Sequence, residues 1–205
     1  MISILDLEIS NIKSLENSLD YLGINYKKIS SKNDIKTAKK IIIPGVGSFD
    51  YAMKYLEEKK FIFDIRDFSL NKKKPILGIC VGMQIFFRES EEGKKKGLSF
   101  FDLPVSKLKS SNKYKVPNVG YSHNNSYMKS DIFRNLEDNL SFYFTNSYAV
   151  KECKNFKFDN FSIVKHNFNF YGSIKKNNIF GLQFHPELSH AAGLLILQNF
   201  SKLDC

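Results

Sequence analysis

PILGICVGMQIFF (residues 75–87) joins an apolar run, Ile76-Leu77-Gly78-Ile79, to a cysteine with glycine two residues away on either side. A buried strand calls for branched aliphatic residues and a helix for an apolar stripe. Neither calls for Gly78-Ile79-Cys80-Val81-Gly82. That spacing fits a sharp strand-to-helix turn, where flanking glycines let neighbouring backbone pack tightly around a strained central residue. The expected local structure is a strand ending at the cysteine and a helix directly after it.

Upstream, the pattern alternates. Ile2–Leu7 reads as a short buried strand, and Ile12, Leu15, Leu19 and Leu22 form a helical stripe that Gly23 would stop. Asn25–Ile29 and the run KKIIIPG (39–45) read as further strands. Ser48 is placed to cap a helix carrying Ala52, Met53 and Leu56, with more helix across Phe61–Leu70. Strands alternating with helices predict a mostly parallel central sheet flanked by helices. From about Gly97 the character changes. SFYFTNSYAV (141–150), NFSIVKH (160–166), FNFYGSIKK (168–176) and NIFGLQF (178–184) suggest antiparallel strands, with Asn177-Asn178 as a turn. SHAAGLLILQNF (189–200) reads as a closing helix. The expectation is an α/β fold with a β-rich antiparallel extension in its second half, forming a single domain over residues 1–205.

Composition narrows the function classes. No stretch approaches the roughly 18–20 apolar residues of a membrane span, and the N-terminus lacks the basic region of a signal peptide. A cytoplasmic protein without membrane contact is expected. Three cysteines, Cys80, Cys153 and Cys205, show no C-x-x-C spacing, which argues against a disulfide framework or a zinc knuckle. The formal charge of +10 invites a nucleic-acid reading. The excess is lysine, however, with arginine only at positions 66, 88 and 134 and basic runs in apparent connections. Arginine is the better reader of phosphates and bases, so no nucleic-acid partner is expected.

Cys80 is the first candidate for chemistry. At an elbow, a helix starting beside it would aim free N–H groups and a positive dipole end at the sulfur, favouring thiolate. The Val81 N–H would point where an oxyanion forms. A small buried core cysteine is the competing reading. A thiolate in acyl transfer needs a base. Of the four histidines, His185 in GLQFHPELS (181–189) follows an apolar strand, and Glu187 could orient its ring. His123, His166 and His190 read as surface or hydrogen-bonded residues. H-x-E at 185–187 lacks the downstream P-C-x-x-C of a zinc deaminase and is not a zincin H-E-x-x-H. No metal and no cofactor are expected. Pro44-Gly45-Val46-Gly47 follows a strand without a phosphate-loop pattern, and reads as a close backbone approach to substrate or as a simple turn.

Taken together, PGVGSF (44–49), LGICVGMQ (77–84), FYFTNSY (142–148) and GLQFHPELS (181–189), with KVPNVGYS (115–122), resemble the class I, triad-type glutamine amidotransferases. They are similar in particular to the glutaminase subunits of imidazole glycerol phosphate synthases of histidine biosynthesis. The resemblance runs in order along nearly the whole chain. It implies that Cys80 attacks the glutamine amide, His185 carries the proton and Glu187 orients it. It implies an oxyanion hole from Val81 and Gly45–Gly47, and glutamine contacts from Gln84, Ser147 and Tyr148. It further implies a heterodimer with a (β/α)8-barrel cyclase that consumes the ammonia, and little activity in the isolated chain.

Departures from the family pattern fall outside the triad. Asp-Tyr-Gly-x-Gly-Asn is here Asp6-Leu7-Glu8-Ile9-Ser10-Asn11, His-Ser-Tyr is Asn146-Ser147-Tyr148, and Pro-His-x-Gly-Trp is Pro117-Asn118-Val119-Gly120-Tyr121. A usual lysine after His-Pro-Glu is Leu188. Asn11, Asn118 and Leu188 are therefore expected at the partner interface. An alternative expectation is a paralogous glutaminase feeding a barrel synthase that aminates or amidinates a surface-polysaccharide sugar. A more remote one is a non-catalytic scaffolding subunit.

Overall fold

The computed structural model describes residues 1–8, 12–126, 131–137 and 140–204, with only the backbone at 125–126. The first half alternates as expected: β1 (Ile2–Ile4), α1 (Lys13–Tyr21), β2 (Tyr26–Lys28), α2 (Lys32–Thr37), β3 (Lys40–Gly45), α3 (Phe49–Glu58), α4 (Ile62–Arg66) and β4 (Ile76–Cys80). β1 is shorter than the predicted Ile2–Leu7. α2 is an addition to the expected elements: the Ser31 hydroxyl accepts from the Asp34 N–H while Asp34 reaches back to Ser31, a reciprocal cap that sustains a helix of only six residues. Ser48 caps α3 as predicted, accepting from the Tyr51 N–H at 3.2 Å.

The helix after the elbow departs from expectation. α5 (Val81–Gln84) is one turn long, and the chain bends at Ile85-Phe86 into β5 (Phe87–Ser90). Phe86 and Phe87 are both fully buried, so the apolar run continues because it crosses the core as a strand rather than as a helical face. Then follow β6 (Phe101–Lys107), β7 (Asn118–His123), β8 (Asn125–Ser126), β9 (Ser141–Asn146), β10 (Tyr148–Ala149), β11 (Asn160–Val164), β12 (Phe170–Lys176), β13 (Ile179–Leu182) and α6 (His190–Ser201). Asn177, at φ +53, turns β12 into β13 as predicted.

Among the described residues the central sheet has eight strands in the order β2-β1-β3-β4-β13-β12-β11-β8. Its β2 to β13 part is parallel, and the pairings from β13 to β8 are antiparallel. Part of the antiparallel second half thus continues the central sheet. The other strands form a three-stranded sheet, β10-β6-β5, in which β5 and β6 run parallel, and the antiparallel pair β7-β9. Strand order reverses between β1 and β3. With right-handed crossovers, α1 then covers one face and α2 to α4 the other. Such a reversal opens a crevice at the carboxyl ends of the strands, where α/β folds bind ligands.

The lysine runs are held by the chain's own acids. The Lys94 and Lys95 N–H groups donate to the Asp50 carboxylate, Lys95 pairs with Glu57, and Lys96 pairs with Glu89. Among the described residues no helix is long and apolar enough to cross a membrane.

Candidate active site

Register delivers the key residues to one place. β4 runs parallel to β3 and β13, with Gly45 opposite Cys80 on one side and Leu182 opposite Ile79 on the other. The residue after Leu182, Gln183, therefore stands beside Cys80, and His185 lies just past the same sheet end. Cys80 sits at φ +54, ψ −111, a region that L-residues avoid. The flanking glycines make this possible by close approach. A Cβ on Gly78 would lie 2.4 Å from the Gly82 carbonyl oxygen, and one on Gly82 only 1.8 Å from the Ile43 carbonyl oxygen. The elbow is thus a backbone stack of β4, α5 and β3, with no room for side chains between the layers.

One expectation weakens here. The macrodipole of a helix sums aligned peptides, and a one-turn α5 has few to sum, so it contributes little to holding a thiolate. The stronger influence is His185. Its Nδ1 is 2.8 Å from Glu187 Oε1, and its Nε2 is buried without a regular hydrogen-bond partner. Burial presses the imidazole toward neutrality. The charges of Cys80 and Glu187 outweigh that, and the pKa is pushed up to about 10. His185 therefore keeps its proton through neutral pH, beside the Cys80 sulfur. Cys80 is 3% exposed and His185 1%.

The His185 turn is pinned to β9. The His185 N–H donates to the Tyr143 carbonyl at 2.8 Å, the Ser189 hydroxyl donates to the His185 carbonyl at 2.6 Å, and the Tyr143 N–H donates to Ser189 Oγ at 3.0 Å. Ser189 closes this loop while buried.

A cavity of about 200 Å³ opens over Cys80, lined by Val46, Gly47, Val81 and Gln84 on one side and by Asn146, Ser147 and Tyr148 on the other. The structure therefore brings together Cys80, Val81, Gln84, Gly47, Ser147 and Tyr148, with Gly45 at the end of β3 beneath them. Gln84 Nε2 donates to the Tyr148 carbonyl and to Gln183 Oε1, both at 3.0 Å.

Glu92, Gln183 and Ser189 carry roles that sequence reasoning did not assign. Glu92 lines the cavity, and its Oε2 accepts from the Phe49 N–H at 2.7 Å. Burial pushes its carboxyl up, against the lowering effect of that N–H. The run Glu89-Ser90-Glu91-Glu92 signals acid, but nothing local says which carboxylate turns inward. Asn118 donates to Asn146 Oδ1 at 3.3 Å, while Leu188 is 40% exposed beside Glu187 and its carbonyl accepts from the Tyr121 hydroxyl. Asn11 lies outside the described residues, as does Cys205. The other histidines make local contacts: His123 with Ser141, His166 with Asn167 and the Lys115 carbonyl, His190 with Tyr121. Among the described residues no group of His, Cys, Asp or Glu is arranged to hold a metal.

Residues 3–202 match the family model described as glutamine amidotransferase class-I. A curated relative from Leptospira borgpetersenii, imidazole glycerol phosphate synthase subunit HisH, is 39% identical over 99% of this chain and 100% of its own length. The subunit HisH 2 of Methanococcus maripaludis is 37% identical over 98% and 99%. Among solved structures, PurLQS from Thermotoga maritima superposes with a TM-score of 0.71 at 16% identity, covering 97% of this chain and 96% of that one, a likeness of fold.

Proposed function

The chain belongs to the class-I glutamine amidotransferases, and from that premise we propose that it is the glutaminase subunit of an imidazole glycerol phosphate synthase, one amidotransferase domain over residues 1–205 acting in the cytoplasm. The observation that carries the reading is the buried triad: a strained Cys80 facing a His185 whose imidazolium is held by Glu187.

The geometry supports the following chemistry. The Cys80 thiolate attacks the side-chain amide carbon of glutamine, and the carbonyl electrons move to oxygen. The Val81 N–H and donors from Gly45–Gly47 receive that oxyanion. Each such donor is worth ~3–4 kcal/mol of barrier when it is already aimed. His185 gives its proton to the departing nitrogen, ammonia leaves, and a glutamyl thioester remains on Cys80. Water then attacks the thioester with His185 accepting its proton, releasing glutamate and restoring the ion pair. Gln84, Ser147 and Tyr148 hold the substrate. Glu92, a carboxylate facing the cavity, suits the substrate's ammonium group.

The ammonia passes to a (β/α)8-barrel cyclase partner in a heterodimer. Asn11, Asn118 and Leu188 belong to that interface, where the exposed leucine calls for an apolar patch on the partner. The relatives reported above favour the histidine-pathway partner over a sugar-modifying synthase, and an intact triad disfavours a scaffolding role. The test is to purify the chain with each candidate barrel and ask which acceptor consumes the ammonia. With the right partner, Cys80→Ala should abolish glutamine-dependent synthesis yet leave synthesis from added ammonium salt intact. A glutamine-like electrophile should label Cys80. Labelling at Cys153 or Cys205 instead would sink the assignment.

A further inference from the structure

We infer that Gln183 is a further catalytic residue, whose side-chain amide donates a hydrogen bond to the Cys80 thiolate and ties it to the substrate-lining Gln84. Register makes the contact: β13 lies parallel beside β4, so the residue after Leu182 stands next to the one after Ile79. Gln183 Nε2 is 3.7 Å from Cys80 Sγ, and Gln183 is 0% exposed.

The orientation of both amides follows from one backbone carbonyl. The Tyr148 oxygen can only accept, so the group that Gln84 presents to it at 3.0 Å is its NH2. The same NH2 reaches Gln183 Oε1 at 3.0 Å. Gln183 must then turn its own NH2 toward the sulfur. A donor aimed at sulfur stabilises the thiolate far more than the thiol, a weak acceptor, so it favours the reactive form.

Packing alone does not account for a glutamine here. Leu182 and Phe184, its neighbours along the chain, are fully buried apolar residues. Burying an amide in such a place is costly unless its hydrogen bonds are made. Here both ends are satisfied, one of them by the nucleophile. The ionisable groups around the sulfur are His185 against it, Glu187 behind the imidazole, and Glu92 and Tyr148 across the cavity. Gln183 is the neutral member of this set and links the nucleophile to Gln84, which lines the substrate cavity.

This inference rests on Cys80 being the nucleophile, and the experiment separates the two claims. The full-length chain is alkylated with iodoacetamide across a pH series, the product at Cys80 is followed by peptide mass, and thermal melting is recorded in parallel. The midpoint of the rate at Cys80 in the natural protein is the reference. Gln183→Met removes the donor at similar length and should move that midpoint up by about one pH unit, slowing alkylation about tenfold below it. Gln183→Glu keeps an acceptor for Gln84 but sets a carboxylate beside the sulfur, and should move the midpoint further. Shifts in both variants, graded in that order, support the role. An unshifted midpoint in either variant overturns it, and so does a shift that appears only in a variant whose melting shows it unfolded. A natural protein in which a glutamine-like electrophile fails to label Cys80 would instead overturn the nucleophile assignment itself.

Discussion

The nucleophile side of the site and the base side are built by different means. Cys80 owes its presentation to five consecutive residues, Gly78 to Gly82, in which the two glycines let three backbone layers touch. His185 owes its placement to separate partners: the distant Tyr143 carbonyl, the nearby Ser189 hydroxyl, and strand register against β4. The first is a local device that tolerates nothing added. The second is a set of separate hydrogen bonds that can fail one at a time. An all-or-none response to substitution is therefore expected at the elbow, and a graded one around the histidine.

On the base side, the largest effect on rate should come from the proton carrier. His185→Ala should lower glutaminase turnover of the partnered enzyme by about 10⁴-fold or more, whereas Glu187→Gln, which only loosens the ring's orientation, should be impaired yet measurable. Steady-state glutamate release measures both. A His185→Ala enzyme retaining most of its rate would require a different base.

Gly82→Ala should act through the fold. A methyl placed 1.8 Å from the Ile43 carbonyl cannot be absorbed by a side-chain rotation. Such overpacking costs about 3 kcal/mol or more. Urea denaturation should show a lower midpoint together with loss of turnover. Stability equal to that of the natural protein would break the contrast drawn above.

The pH profile sharpens the base side. The His185 pKa is raised to about 10, so the imidazolium persists through neutral and mildly alkaline pH and is lost only as the pH climbs past that value. Turnover should hold steady on the alkaline side and then fall about tenfold per unit above roughly pH 10, as the proton donor for ammonia disappears. A fall centred near 6.5 would mean that the ion pair does not form. The smallest of these effects is expected from Ser189→Ala. This change removes the hydroxyl clamp but leaves the triad complete, and should reduce turnover about tenfold with melting little changed.

Much of this is legible in the amino-acid sequence. The alternation of strands and helices in the first half, the Ser48 cap, the Asn177 turn and the closing helix all came from local patterns, and the structure has them. α2 was overlooked because its cap pairs Ser31 with an aspartate rather than the usual glutamate. α5 was expected to run on because an apolar stretch reads alike as a buried helix or a buried strand. Pairing distinguishes the two here: Phe87 lies opposite Phe101, where β5 runs beside β6.

The sequence by itself determined the residues on which the proposed chemistry rests: a cysteine between paired glycines, and a histidine with a glutamate two residues on. Both signals are short, and the spacing within each is what the reaction needs. Tertiary structure alone decided how the site is completed. Glu92 meets the start of α3 across 43 residues, and Gln183 meets Cys80 across 103. Contacts over such separations arise from strand order and register. Local periodicity does not encode these, because the same alternating or apolar run can pair with any neighbour the assembled sheet provides.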